Sequence, residues 1–243
     1  MEDSVAVPSL SQGARVIDTF IAPSKTFTDV LRSSNCWLPI ALMVVLTFFY
    51  AFSVGRTVGY GTATEQQISK NEKQAAELQQ LPPEQRAARV GMIAKVTQIS
   101  TYASSVFVLI FCAIEALVLW GSFNFILGAS TKFVQVFAVV VYAGLPRYLI
   151  WLLAPALLFG GVGTDSFDLR NPVGTNLGYY IDSPQWLKTS GAFFDVLGFW
   201  SLALLVLGMA IVSRKSKGQS AAVVIGWWAL ILVIVTGFTA VFS

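Results

Sequence analysis

The chain has 243 residues, of which 55% are hydrophobic and only 12% charged, with a formal net charge of +3. A soluble domain carries about 25% charged residues, so this composition excludes an ordinary soluble protein, and bases spread over loops and segment ends do not form a nucleic-acid surface. There is no histidine and there are two cysteines, which removes histidine-based acid–base catalysis, histidine metal sites and thiolate clusters; no catalytic, cofactor-binding or metal-ligating set is expected.

Residues 1–36 read as an N-terminal amphipathic, interfacial region. The first twelve residues show no sustained apolar period and are expected to be disordered. Val16, Ile17, Phe20 and Ile21 then recur at helical spacing, Ala22-Pro23 breaks the run, and Ser24 can cap a second short helix containing Phe27, Val30 and Leu31. The two pieces lie either against the membrane surface or on the ends of the spans.

A membrane domain is expected over residues 37–243. Its first span, about residues 37–54, starts at Trp37 and is stopped by Arg56. Residues 56–100 form a polar helical excursion, rich in strong helix formers up to Leu81 and interrupted by Pro82-Pro83. Val90, Ile93, Val96 and Ile99 recur at helical intervals and lead into the second span, about residues 102–127.

The third span, about residues 132–159, follows a turn at Gly128–Ser130. Glu115 and Arg147 lie at nearly equal distances from that turn, which at ~1.5 Å per residue sets them within roughly 3 Å of one depth. An ionisable side chain near the bilayer centre costs about 2.5–3.5 kcal/mol on insertion scales. An intramembrane Glu115–Arg147 pair is one solution; the other has Arg147 reaching toward headgroups and Glu115 protonated or facing a wet crevice. Pro146 removes a backbone donor beside Arg147 and is expected to kink the helix.

Residues 160–190 are too polar to span and rich in turn formers. Asn171-Pro172-Val173-Gly174 and Asn176-Leu177-Gly178 mark turns, with Tyr179, Tyr180 and Trp186 as an aromatic rim. The segment is either a functional loop or a cap over the span ends. Gly161-Val162-Gly163-Thr164-Asp165 has an extra residue between glycine and acid relative to the intramembrane aspartyl proteases, and a second aspartate at membrane depth is absent. The fourth span, about residues 192–212, carries Asp195 near its start and small residues Gly198, Ser201 and Gly208 along its length. A basic turn, Arg214-Lys215-Ser216-Lys217, precedes the fifth span at about residues 221–242. Bases in this short connection place it in the cytoplasm, with the N-terminus on the same side and the C-terminus outside. The fold class is therefore all-α, a polytopic membrane bundle of five transmembrane helices with N-terminal amphipathic helices and an extramembrane helical excursion between spans one and two.

Several strings in this order have a family likeness: Phe20-Ile21-Ala22-Pro23-Ser24-Lys25-Thr26-Phe27, Tyr142-Ala143-Gly144-Leu145-Pro146, Asn171-Pro172-Val173-Gly174-Thr175-Asn176 and Asp195-Val196-Leu197-Gly198-Phe199-Trp200. Together they resemble the Yip-domain family, the Ypt/Rab-interacting type of five-span membrane protein, and in particular its bacterial branch. The resemblance implies a membrane bundle without known catalytic residues, placed in a bacterial inner membrane. Eukaryotic members associate with Rab-type GTPases through a long cytoplasmic N-terminal region, whereas here that region is about 36 residues. The expected role is non-enzymatic organisation of membrane or partner proteins, with membrane lipids, other membrane proteins or further copies of the chain as partners. The alternative is a small transporter, channel or lipid-moving protein with a polar path near Glu115 and Arg147.

Overall fold

A long apolar segment in lipid can satisfy its backbone only within itself, and the chain is helical almost throughout. The computed structural model describes residues 9–70, 72–182 and 184–242, without the side chains of residues 72, 166 and 242; the expectation for residues 1–8 lies outside these. Among the described residues there is no β-strand.

Two short helices come first, α1 (Gln12–Ile21) and α2 (Pro23–Arg32). Ser11 caps α1 by accepting from Ala14 N–H, and Pro23 starts α2 directly after the break at Ala22. The first span is α3 (Trp37–Thr57). Its hydroxyls at Thr47, Ser53 and Thr57 donate to carbonyls one turn back, which satisfies them without a partner from another helix. The excursion is made of α4 (Tyr60–Ser69), α5 (Glu72–Gln79) and α6 (Pro83–Tyr102). It does not stand free of the bundle: α4 buries Tyr60, Ala63 and Ile68, packs on α6, and its Tyr60 hydroxyl donates to Ala51 O of the first span.

The second span is α7 (Ser104–Gly121), finished by a π-helical turn over Ser122–Ile126. Asn124 closes the following reversal by donating to Thr131 O and accepting from Thr131 N–H, with Gly128 at φ +60°. The third span is broken: α8 (Phe133–Ala143) is followed at Gly144 by α9 (Leu145–Tyr148) and α10 (Ile150–Phe159), and the two halves are bent by 42°. Pro146 and Arg147 stand just beyond that bend. After the loop come a short helix α11 (Gln185–Ala192), the fourth span α12 (Val196–Ser213) and the last helix α13 (Lys217–Phe242). Among the described residues four helices are long and apolar enough to cross a membrane, and the bent pair makes a fifth when counted as one span.

Two apolar clusters hold the bundle. The larger joins α2, α7, α8 and α12, with Phe27, Val139, Tyr142 and Met209 fully enclosed. Gly208 of α12 lets these helices meet, because a Cβ there would lie 2.6 Å from Val139 Cγ1 and 3.0 Å from Phe27 Cδ1. The smaller joins Tyr50 and Val54 of α3, Tyr60 of α4, Leu158 of α10 and Phe167 of the loop. By contrast α13 has only 6% of its apolar window inside the bundle.

Candidate functional site

Helices α7, α8, α9 and α12 converge at the bend, and there they leave one small polar crevice. Glu115 enters from α7, Arg147 from α9 and Ser201 from α12, with Val140, Ala143 and Gly144 as apolar wall. The free space is about 20 Å³, enough for about one water molecule and too small for a solute or a lipid chain. Glu115 is half-buried and Arg147 exposed on the bundle. They share this crevice without an ion pair: no carboxylate oxygen of Glu115 comes within 4.0 Å of a guanidinium nitrogen among the described residues. Ser201 is 4% exposed and its hydroxyl has no hydrogen-bond partner among the described residues. Acid, base and hydroxyl thus meet at mid-span around a water-sized gap.

The turn-rich loop builds a separate polar cluster. Asn171 and Asn176 donate to each other's side-chain oxygens at 3.2 and 2.8 Å. Asn176 also accepts from Tyr179 N–H, and its backbone bridges to Asp195. Asp195 caps α12 by accepting from Gly198 N–H at 2.6 Å and takes the Thr175 hydroxyl proton in a 2.5 Å hydrogen bond. Gly174 lies against the Tyr180 hydroxyl, which donates to the Gly174 carbonyl. Pro172 belongs to the same loop. These residues lash the loop to the start of the fourth span, six residues or roughly 9 Å along α12 from Ser201.

A third cluster escapes the apolar periodicity of the sequence. Arg15 of α1 is 1% exposed. Its Nε donates to Asp29 Oδ2 at 2.6 Å and its Nη1 to the Ser33 and Asn35 carbonyls at 2.8 and 3.0 Å. Thr19 and Thr26 donate their hydroxyls to the Arg15 carbonyl, and Tyr142 of α8 donates to the Gln12 side chain. Meanwhile Ile17 and Ile21 are 59% and 75% exposed. Helix α1 therefore turns its polar side inward and leaves much of its apolar stripe outside, the reverse of a water-facing helix. The only signal for this in the sequence is a base and an acid on short helices flanking Ala22-Pro23.

Among the described residues no three His, Cys, Asp or Glu side chains form a metal-holding group. Cys36 and Cys112 are free thiols in the buried interior.

The Yip1 domain profile matches residues 17–238. The chain belongs to the Yip1 family. Both the match and the apolar helices make this Yip1-domain protein an integral membrane protein of a family without known catalytic residues. The matched segment starts inside α1, after Arg15, and ends inside α13, so α2, the bent span, the lashed loop and the crevice all fall in the shared unit. Searches of characterised proteins and of solved structures give no match.

Proposed function

We propose that this Yip1-domain protein is a non-enzymatic organiser of the membrane that works by docking a second copy of itself against the Arg147 face. The observation that carries this reading is the exposed guanidinium at the middle of the third span, beside a half-buried carboxylate at the same level. Hydrocarbon covers such a group only at a cost of several kcal/mol, so charged side chains at this depth face protein or water. A two-fold contact is self-complementary: it sets the base of each copy toward the acid of the other, with the small-residue bend at Gly144 allowing close approach. A crevice of about 20 Å³ offers no room for a transported solute, which favours docking over the transport reading. The basic turn after α12 lies beside the turn after α7, with Lys215 Nζ 3.4 Å from Gly128 O, and this end is assigned to the cytoplasm.

The test is the mass of the detergent-solubilised full chain by light scattering, together with liposome flux of ions and lipid analogues. Self-association that Arg147→Ala weakens at least tenfold, with background flux, is the expected result. Flux in wild type that Glu115→Gln abolishes would replace the reading by a transporter.

A further inference from the structure

A second cavity, about 350 Å³ in volume, opens where the excursion meets the spans. Its size is that of small-molecule and headgroup sites. One wall is a ladder of hydroxyls at the junction of α6 and α7: Thr97, Ser100, Thr101 and Ser104. Ser100, Thr101 and Ser104 give their protons to helix carbonyls one turn back, which leaves their oxygens as acceptors along the cavity wall. Facing them are the amide of Gln67 from α4 and the guanidinium of Arg170 from the loop. Neither of these two groups has a hydrogen-bond partner among the described residues. The lining contains one base and no acid. The adjacent carboxylate, Asp168, is already engaged by Lys70 and Lys188 at 3.5 Å each, so it does not repel an anion.

The floor is different in kind. Tyr50 belongs to the first span and Trp151 to the third, and the Tyr50 hydroxyl is already engaged, donating to the carbonyl of Leu169, which lines the same cavity. A molecule lodged here has its polar part against extramembrane helices α4 and α6 and its remainder beside aromatic rings of the spans. An anionic head on an apolar body is the chemistry this arrangement selects.

We propose that this cavity binds the phosphate of a membrane phospholipid, with Arg170 and Gln67 donating to the phosphate oxygens and the hydroxyl ladder holding the polar headgroup. The guanidinium offers a two-pronged contact that lysine cannot reproduce. Trp151 and Tyr50 lie under the glycerol region.

The proposal is tested on the full chain purified in detergent and stripped of lipid, by native mass spectrometry and thermal unfolding with added phosphatidylglycerol, glycerol phosphate or inorganic phosphate. Bound phosphatidylglycerol and an upward shift of the unfolding midpoint are expected for wild type, with at least tenfold weaker retention in Arg170→Ala and partial recovery in Arg170→Lys. A cavity-filling Ser100→Phe variant, on an exposed helix position, should lose lipid while unfolding at the lipid-free wild-type temperature. Equal retention by wild type and both loss variants overturns the proposal. Stabilisation by inorganic phosphate or glycerol phosphate as strong as by the lipid overturns the lipid assignment and leaves a soluble anion as the occupant.

Discussion

Arg15 and Asp29 tie the two N-terminal helices into one unit, with Nε and Oδ2 2.6 Å apart and the guanidinium almost wholly enclosed. Removing one partner of a buried pair leaves an uncompensated charge, which costs about 3–5 kcal/mol. Arg15→Met or Asp29→Ala should therefore lower the unfolding midpoint sharply and expose the Ser33–Asn35 backbone to hydrogen exchange. An unchanged midpoint in both would show that the pair adds nothing.

The same pair gives a pH dependence. Burial pushes the Asp29 carboxyl up, but hydrogen bonds and charge from Arg32 and Arg15 outweigh it and hold the group below the ordinary carboxylate value. A depressed folded value means that the unfolded chain binds the proton more readily, so stability is complete above the ordinary value near 3.8 and is lost as pH falls through the folded one. Acid titration of the unfolding midpoint should show a drop below pH about 4 that Asp29→Ala removes.

Gly208 is the packing counterpart. A methyl there meets Val139 Cγ1 at 2.6 Å and the Phe27 ring at 3.0 Å, so Gly208→Ala should destabilise by about 1–3 kcal/mol through overpacking. At Gly226 of α13 a methyl would meet nothing within 4 Å, and Gly226→Ala should be neutral or raise the midpoint slightly by helix propensity. A thermal unfolding series on both variants checks the contrast.

Asp195 caps α12 and anchors the loop at one stroke. Asp195→Ala should cost about 0.5–2 kcal/mol as a lost cap and release the Asn171–Asn176 turn, read as faster amide exchange at Thr175 and Val196, whose N–H groups donate to the Val173 and Thr175 carbonyls. Asp195→Ser should retain the cap. If exchange in the loop does not change in Asp195→Ala, the lashing is carried by the backbone alone.

The ion pairs of Asp168 provide a contrast of magnitude. Lys70 and Lys188 both stand 3.5 Å from one carboxylate oxygen and are partly open to solvent. Such contacts are worth about 0–1 kcal/mol and are screened by salt. Asp168→Asn should leave the unfolding midpoint within a degree or two in high salt, where Arg15 variants still unfold early.

The spans were legible because about twenty apolar residues in a row have few alternatives, and the bend was legible from Gly144 and Pro146. The start of the fourth span was not. Hydropathy runs on through Ala192, Phe193 and Phe194, whereas the structure ends α11 at Ala192 and starts α12 at Val196, because the Asp195 carboxylate offers a cap that a hydropathy window does not weigh. The N-terminal hairpin was legible as two helices but not in its orientation. Periodicity marks Val16, Ile17, Phe20 and Ile21 as a stripe, yet which side of a helix faces in depends on the solvent outside, and Arg15 finds its partners fourteen to twenty residues away. For Glu115 and Arg147, rise per residue gives a shared depth and both line the crevice; the rotation of each helix about its own axis, which fixes the gap between charges, comes from packing of α7 on α8 and of α9 on α12 and has no local signature.

Helix α13 lies along α11 and α12: Val224 is buried there, Trp228 meets Phe193, Phe194 and Phe199, the Trp227 indole donates to Ser122 at 2.9 Å, and Thr236 shares a hydrogen bond with Ser190 at 3.0 Å. With only 6% of its apolar window inside the bundle, this helix meets the surrounding acyl layer over most of its surface, so a mismatch in thickness acts on it more directly than on the enclosed spans. In thin and thick bilayers this last rod should lean by different amounts against α11 and α12 while the remaining spans keep their angles, making it the part of the molecule that registers the width of its host membrane.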